Sequence, residues 1–431
     1  MRPEEPGAGS LSASRHTQFM VFTTACLGGV AYLGFTNGFL LAYFSRLNLS
    51  EGLILGLLAA PAIVQFLLVV PFGYLSDWFG KKLLGTIGIV GMTSALGILA
   101  APELFSEVSL TVSVGVVLFS AGSALVQSNW FALLDPLIRE RERGRFFGSL
   151  RLTWQTFGFF FALGVSYLLE RFSEIETYRW ILGGIALLGL LRLFSYWGIP
   201  ELEHSHPPSA SLRKTFFEVL ALPGYLPFCA YCFLLMLFTG ACPQLFSLLE
   251  RQVLGFSDDQ LVLVGNLLTV GALVGFVLGG RAVDRFGTRY VFLLCHLLFG
   301  VILVLFLFRE QVPFPLMVFL GMLTLLFGFA QAASGIAMTS EILSLIPKEN
   351  KSLATGIWLT LHSGGAGLSG LLCGQVLEVG LLSSEWGFSG MRLSAYDSLI
   401  LICGVMTLLM TVTLGLIPSM IRRAQWIPQG T

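Results

Sequence analysis

Twelve apolar stretches, separated by short polar connections, constrain this chain more than any other feature. They run at approximately 19–44, 52–74, 83–101, 110–134, 148–169 and 179–199, then at 225–248, 259–280, 290–308, 314–341, 353–378 and 396–418. Each is close to or above the roughly 20 residues that carry an α-helix across a hydrocarbon core. In lipid, a long single segment pairs all its backbone N–H and C=O groups only as a helix. Composition agrees, with 55% of the 431 residues hydrophobic and 12% charged, about half the charged share of a soluble domain. The expected fold class is an all-α membrane protein of about twelve transmembrane helices. A polar stretch holding His204, His206, Pro207 and Pro208 cannot span, so 201–220 is read as a cytoplasmic linker between six-helix bundles at 1–200 and 221–431.

Several function classes fall away. The formal net charge is zero, which gives no basic footprint for nucleic acid and no acidic or basic partner. Seven Cys, all in apolar stretches, exclude a complete disulfide framework; Cys229 and Cys232 read as small packing residues. There is no Gly-rich loop ending in Lys-Ser/Thr for a nucleotide, and no Ser/His, paired-Asp or His-cluster constellation at catalytic spacing, so neither an enzyme nor a cofactor or metal site is expected. Met1 to Gln18 reads as a short cytoplasmic tail rather than a signal peptide. With the N-terminus inside, about 17 Lys and Arg fall in inner loops and tails against about six outside, a bias that places both termini in the cytoplasm of a multi-pass protein of the cell or inner membrane.

The two sets of six segments look duplicated. At an offset of 207, Gly73 meets Gly280, Asp77 meets Asp284, Gly80 meets Gly287 and Lys82 meets Arg289. At 206, Asp135 meets Glu341 and Arg145 meets Lys351. Six segments is an even number, so both copies enter from the same side and the repeat is parallel. Gly80 and Gly287 suit a tight turn, and acids at helix ends call for a helix N-terminus or a basic partner.

The loop Gly73-Tyr-Leu-Ser-Asp77-Trp78-Phe-Gly80-Lys81-Lys82 and its second copy, Gly280-Arg-Ala-Val-Asp284-Arg285-Phe-Gly287-Thr-Arg289, resemble the conserved loop of the major facilitator superfamily after its second and eighth helices. Asp135 to Arg145, including Arg143, is similar to that family's loop after helix four. The resemblance covers nearly the whole chain. It implies two pseudo-symmetric bundles, a cytoplasmic latch built from these loops together with Glu341, and transport of a small organic solute by alternating access, secondary active or facilitative. In the first copy Trp78 departs from the pattern, where a basic residue is usual, which shifts the ionic partner to Lys81 or Lys82. Bulk at Gly73 or Gly280 is expected to block the latch turn.

Polar residues at bilayer depth are costly and face a bundle interior. Ser120, Ser123, Gln127 and Trp130 share one helical face; Arg151 and Gln155 share another, as do Thr324, Gly328 and Gln331, and Trp358, His362 and Ser369. Tyr32, Thr36 and Asn37 mark the first segment. The resemblance implies that these helices line a central cavity, giving Tyr32, Asn37, Gln127, Trp130, Arg151, Gln155, Gln331, Trp358 and His362 as the candidate substrate site. Arg192 is expected to snorkel to the interface, and His296 to be a satisfied core residue. No carboxylate is read in mid-span, and the family's drug-antiporter features, a membrane-embedded Arg on helix four and a Gly-Pro element on helix five, are missing. The expected partners are the bilayer, a small-molecule substrate and, left open, a coupling ion, with a monomer as the default. The alternatives are a non-transporting membrane sensor or scaffold and, within transport, a drug/proton antiporter.

Overall fold

The computed structural model describes residues 15–104, 106–138, 143–202, 212–346, 351–388 and 391–415. The side chains of Asp77, Asp135, Arg143 and Arg145, four of the expected latch residues, lie outside that description. The helices are α1 (Arg15–Leu33), α2 (Phe39–Arg46), α3 (Glu51–Phe79), α4 (Lys81–Ala100), α5 (Val108–Leu134), α6 (Arg143–Arg171), α7 (Ile175–Trp197) and α8 (Leu212–Leu220). There follow α9 (Tyr225–Thr239), α10 (Cys242–Gln252), α11 (Asp258–Phe286), α12 (Thr288–Leu305), α13 (Leu316–Leu345), α14 (Lys351–Glu378) and α15 (Ala395–Thr413). Ten segments are long and apolar enough to cross a membrane, α9 and α10 counting as one. The broken pair α1–α2 and the glycine-rich α14, which lies antiparallel along α3, complete the twelve expected passes.

The duplication is visible in backbone detail. The first and seventh passes, expected as continuous helices, are both interrupted: α1 ends at Leu33 and α9 at Thr239, an offset of 239 − 33 = 206. Ser50 caps α3 by accepting from Leu53 N (3.4 Å), and Ser257 caps α11 in a reciprocal capping box with Gln260, an offset of 257 − 50 = 207. A cap hydroxyl takes one of the N–H groups that a first helical turn leaves without an intrahelical partner. At the other ends of those helices Gly80 (φ 96°, ψ 138°) and Gly287 (φ 84°, ψ 158°) turn the chain in the same left-handed conformation, which a residue with a Cβ rarely adopts. An antiparallel hairpin, β1 (Glu385–Phe388) and β2 (Met391–Ser394), follows α14 and was not expected from the sequence. It buries Met391 and Leu393 and ends at Ser394, which caps α15.

Close helix approach depends on small residues. A Cβ added at Gly364, Gly367, Gly370 or Gly374 of α14 would stand 2.5–2.8 Å from Phe66, Ile63, Ala59 and Gly52 of α3, respectively. That seam joins residues before the linker to residues after it. A second junction runs between α6 and α11, where Ser166 Oγ donates to Asp259 O (2.9 Å) and Asn266 Nδ2 donates to Phe159 O (3.2 Å). Both junctions are closest at the end of the molecule away from the linker. Towards the linker end, Gly73, Gly148 and Gly356 have nothing within 4 Å of where a Cβ would stand.

The space at Gly73 corrects one expectation. Gly73 lies within helix α3 with room beside it, and at Gly280 an added Cβ would meet only Ile336, at 4.0 Å. The turn glycines are Gly80 and Gly287. A Cβ at Gly287 meets nothing within 4 Å, so Gly287→Ala acts through backbone strain alone, at a cost of about 1–3 kcal/mol. The apparent melting temperature of purified Gly287→Ala protein falls below wild type while that of Gly73→Ala does not; equal melting of the two variants would show that the turn accepts another conformation.

Candidate functional site

The break between α1 and α2 places a phenol at the centre of the molecule. Gly38 takes φ 81°, and the Asn37 Oδ1 accepts from Phe39 N (3.2 Å), so the new helix starts with a capped N–H. One turn earlier, Tyr32 Oη accepts from Gln65 Nε2 of α3 (2.5 Å) and from Gln127 Nε2 of α5 (2.8 Å). A hydroxyl oxygen has two lone pairs and one hydrogen. With both lone pairs taken, its proton goes to Ser123 Oγ (2.5 Å). Gln65 in turn accepts, at Oε1, from Ser363 Oγ of α14 (3.2 Å), so the network crosses from the first half of the chain to the second.

This network forms one wall of a cavity of about 230 Å³. Tyr32, Phe35 and Thr36 line it from the first pass, Pro61 and Gln65 from α3, Met236 and Gln244 from the interrupted seventh pass, and His362 and Ser363 from α14. Pro61 has no N–H to give to the preceding turn, which loosens α3 at this depth. The His362 ring stacks on Trp358 (5.6 Å between centroids, 6° between planes). Among the described residues, His362 Nδ1, Gln244 Oε1 and Trp358 Nε1 are buried without a hydrogen-bond partner.

The expected site residues divide. Tyr32 and His362 line the cavity, and Gln127 holds Tyr32. Trp358 backs His362, and Gln155 is buried with its Oε1 unpartnered. Trp130 is half-buried against the core. Three residues have other positions. Asn37 is 4% exposed and serves as a helix cap. Arg151 is exposed, with its guanidinium over the Phe276 ring of α11 (5.0 Å). Gln331 is exposed and has no hydrogen bond among the described residues. Arg192 does not snorkel: it is 8% exposed, with Nη1 at 3.8 Å from Met92 Sδ and its guanidinium against Gly28, where the missing side chain makes the room. His296 is satisfied at both nitrogens, by Tyr231 (3.0 Å) and Ser334 (2.8 Å).

Sequence reasoning passed over Gln65, Gln244, Ser363 and Glu250. Gln65 is a lone amide within the apolar run of α3, and the cost of such a group in lipid was a signal available from sequence. Glu250, 1% exposed in α10, was missed because the seventh segment was ended at 248.

At the linker end, an acid bonds beside each of the two glycine turns. Glu201 Oε1 accepts from Lys81 N (2.8 Å), and Lys82 Nζ donates to the carbonyls of Trp197 (2.6 Å) and Ile199 (2.9 Å). In the second half Glu341, 2% exposed, accepts from Thr288 Oγ1 (2.5 Å), just after Gly287. Asp284 is exposed, and Arg285 lies over the ring of its neighbour Phe286 (5.4 Å). At the far end, ions join the halves instead: Asp258, in the first turn of α11, pairs with Arg46 Nε of α2 (2.8 Å) and with Arg251.

Comparison with known proteins gives one family. The sequence profile of the Major Facilitator Superfamily matches residues 19–279 and again 228–425. The chain is 25% identical over 345 residues to the inner membrane transport protein YajR of Escherichia coli (strain K12), covering 76% of this chain and 70% of that one. Its fold is similar to that of the nucleoside transporter NupG (TM-score 0.69, 14% identity, 93% of this chain and 97% of that one). It is also similar to that of a POT family transporter solved with a thioalcohol-conjugated peptide (TM-score 0.71, 12% identity, 92% and 94%). The chain belongs to the major facilitator superfamily and is an integral, multi-pass membrane transporter.

Proposed function

We propose that this transporter binds its solute in the cavity between Tyr32, Gln65, Gln244, His362 and Ser363, and that residues 1–200 and 221–431 rock about that site while 201–220 tether them. The observation that carries this reading is the hydrogen bond between Gln65 and Ser363, which belongs to the two halves and borders the cavity. Interrupted helices in matching places of two repeats are where such carriers build their sites, and the breaks at 34–38 and 240–241 flank this cavity. Together with the charge bias of the loops, closure at the far end corresponds to a state that faces the cytoplasm, in the inner or cell membrane, with both termini inside. One chain supplies both walls, which favours a monomer.

Two measurements test this. Tyr32→Phe removes the centre of three hydrogen bonds that hold Gln65 and Gln127; at about 0.5–1.5 kcal/mol for each neutral bond, substrate affinity drops roughly tenfold in proteoliposome uptake. Gln127→Ala acts in the same direction and Gln331→Ala leaves affinity unchanged; a larger effect of Gln331→Ala than of Gln127→Ala would move the site. The second concerns closure. Asp258→Asn removes the ion pair across the far end and leaves Arg46 and Arg251 together. Arg46 is 39% exposed, so solvent screening holds the loss to about 1–2 kcal/mol, a 5- to 30-fold shift towards the state open at that end. Spin labels at Glu170 and Gln252 register it as a longer distance; an unchanged distribution removes the pair as a lock.

A further inference from the structure

We infer that the solute this cavity takes is small and uncharged, with hydrogen-bonding groups on one edge and an apolar or flat face on the other; the inference rests on the cavity being the transport site. Among the described residues, no Asp, Glu, Lys or Arg lines it. Arg192 and Glu250, buried within the spans, and the exposed Arg151 all lie elsewhere. A solute ion would leave water here and meet no counter-charge, and desolvating an unpaired ion is costly. An amide or hydroxyl loses far less and recovers it by hydrogen bonding. The site offers that recovery: among the described residues, His362 Nδ1 and Gln244 Oε1 have no partner, and a buried polar group left unpaired is costly. The opposite demand is met by the rings of Tyr32 and Phe35 with Met236, Leu55 and Leu58. A volume of about 230 Å³, below the roughly 300–1,000 Å³ of pockets for drug-sized ligands, accommodates a small solute. A zwitterionic peptide needs charges of both signs from its site, and this cavity supplies neither.

The test reads the cavity's charge preference without knowing the substrate. Full-length Ser363→Cys protein in nanodiscs is treated with three methanethiosulfonates of similar size: 2-hydroxyethyl (neutral), 2-sulfonatoethyl (anionic) and 2-(trimethylammonio)ethyl (cationic). The thiolate attacks the sulfenyl sulfur and releases methanesulfinate, so a mixed disulfide forms with no added oxidant. Modification of residue 363 is followed by peptide mass spectrometry, and each rate is divided by that of the reagent with free 2-mercaptoethanol. The neutral reagent is expected to react at least about tenfold faster than either ion. An ionic reagent that matches or exceeds it overturns the inference and leaves the site itself standing. If no reagent reaches residue 363, nor residue 244 in a Gln244→Cys variant, the cavity is not open to solute and the site reading fails with it. A dipeptide, organic anion or organic cation that raises the melting temperature when its uncharged analogue does not also overturns the inference.

Discussion

The requirement that every backbone polar group be paired inside a hydrocarbon medium underlies the rest of this structure. It makes each crossing a helix and sets a condition on any interruption. The chain breaks α1 from α2 and α9 from α10 only where other groups replace the lost partners. Asn37 Oδ1 receives the Phe39 N–H, and Ser369 Oγ of α14 receives the Ala241 N–H (3.1 Å). Non-helical backbone at membrane depth is tolerated where protein or a cavity surrounds it, and here it borders the cavity. The interruptions therefore bring capped turns and polar side chains to the edge of the cavity.

Glycine decides how the two halves meet. Along α14, glycines at 364, 367, 370 and 374 receive the side chains and backbone of α3, and at Gly265 an added Cβ would stand 2.5 Å from the Asn37 carbonyl oxygen. These contacts cluster towards the far end, where the Arg46–Asp258 pair also lies. Near the linker an added Cβ at Gly73, Gly148 or Gly356 would meet nothing within 4 Å, and the turn residues Lys81 and Thr288 bond to Glu201 and Glu341.

Charge is kept away from the cavity. Ions lie at the ends or inside a single bundle: Asp258 with Arg46 and Arg251, Arg309 with Asp397 (2.5 Å) and Arg192 against Gly28. Amides, hydroxyls, an imidazole and rings remain at the centre. This arrangement bears on specificity more directly than fold similarity does, since nucleoside and peptide carriers share the fold at 14% and 12% identity. A site selects by what it pairs and by what it leaves unpaired.

The sequence by itself determined the all-helical membrane fold, the duplication near an offset of 207 and the paired turns at Gly80 and Gly287. These follow from local hydropathy, helix length and φ > 0, which a linear pattern carries in full. It also singled out Tyr32, Gln127 and His362, because polar residues in apolar runs are conspicuous. Only the tertiary structure decided which of those residues converge. Gln331 shares the helical spacing of Gln127 and is exposed, Arg151 leans on Phe276, and Arg192 is buried against Gly28. Gln65, a lone amide in the apolar run of α3, completes the cavity together with Gln244 and Ser363. The difference is physical: periodicity gives the face of a helix, and the rotation and register of its neighbours, set by glycine contacts across the whole chain, decide what that face meets.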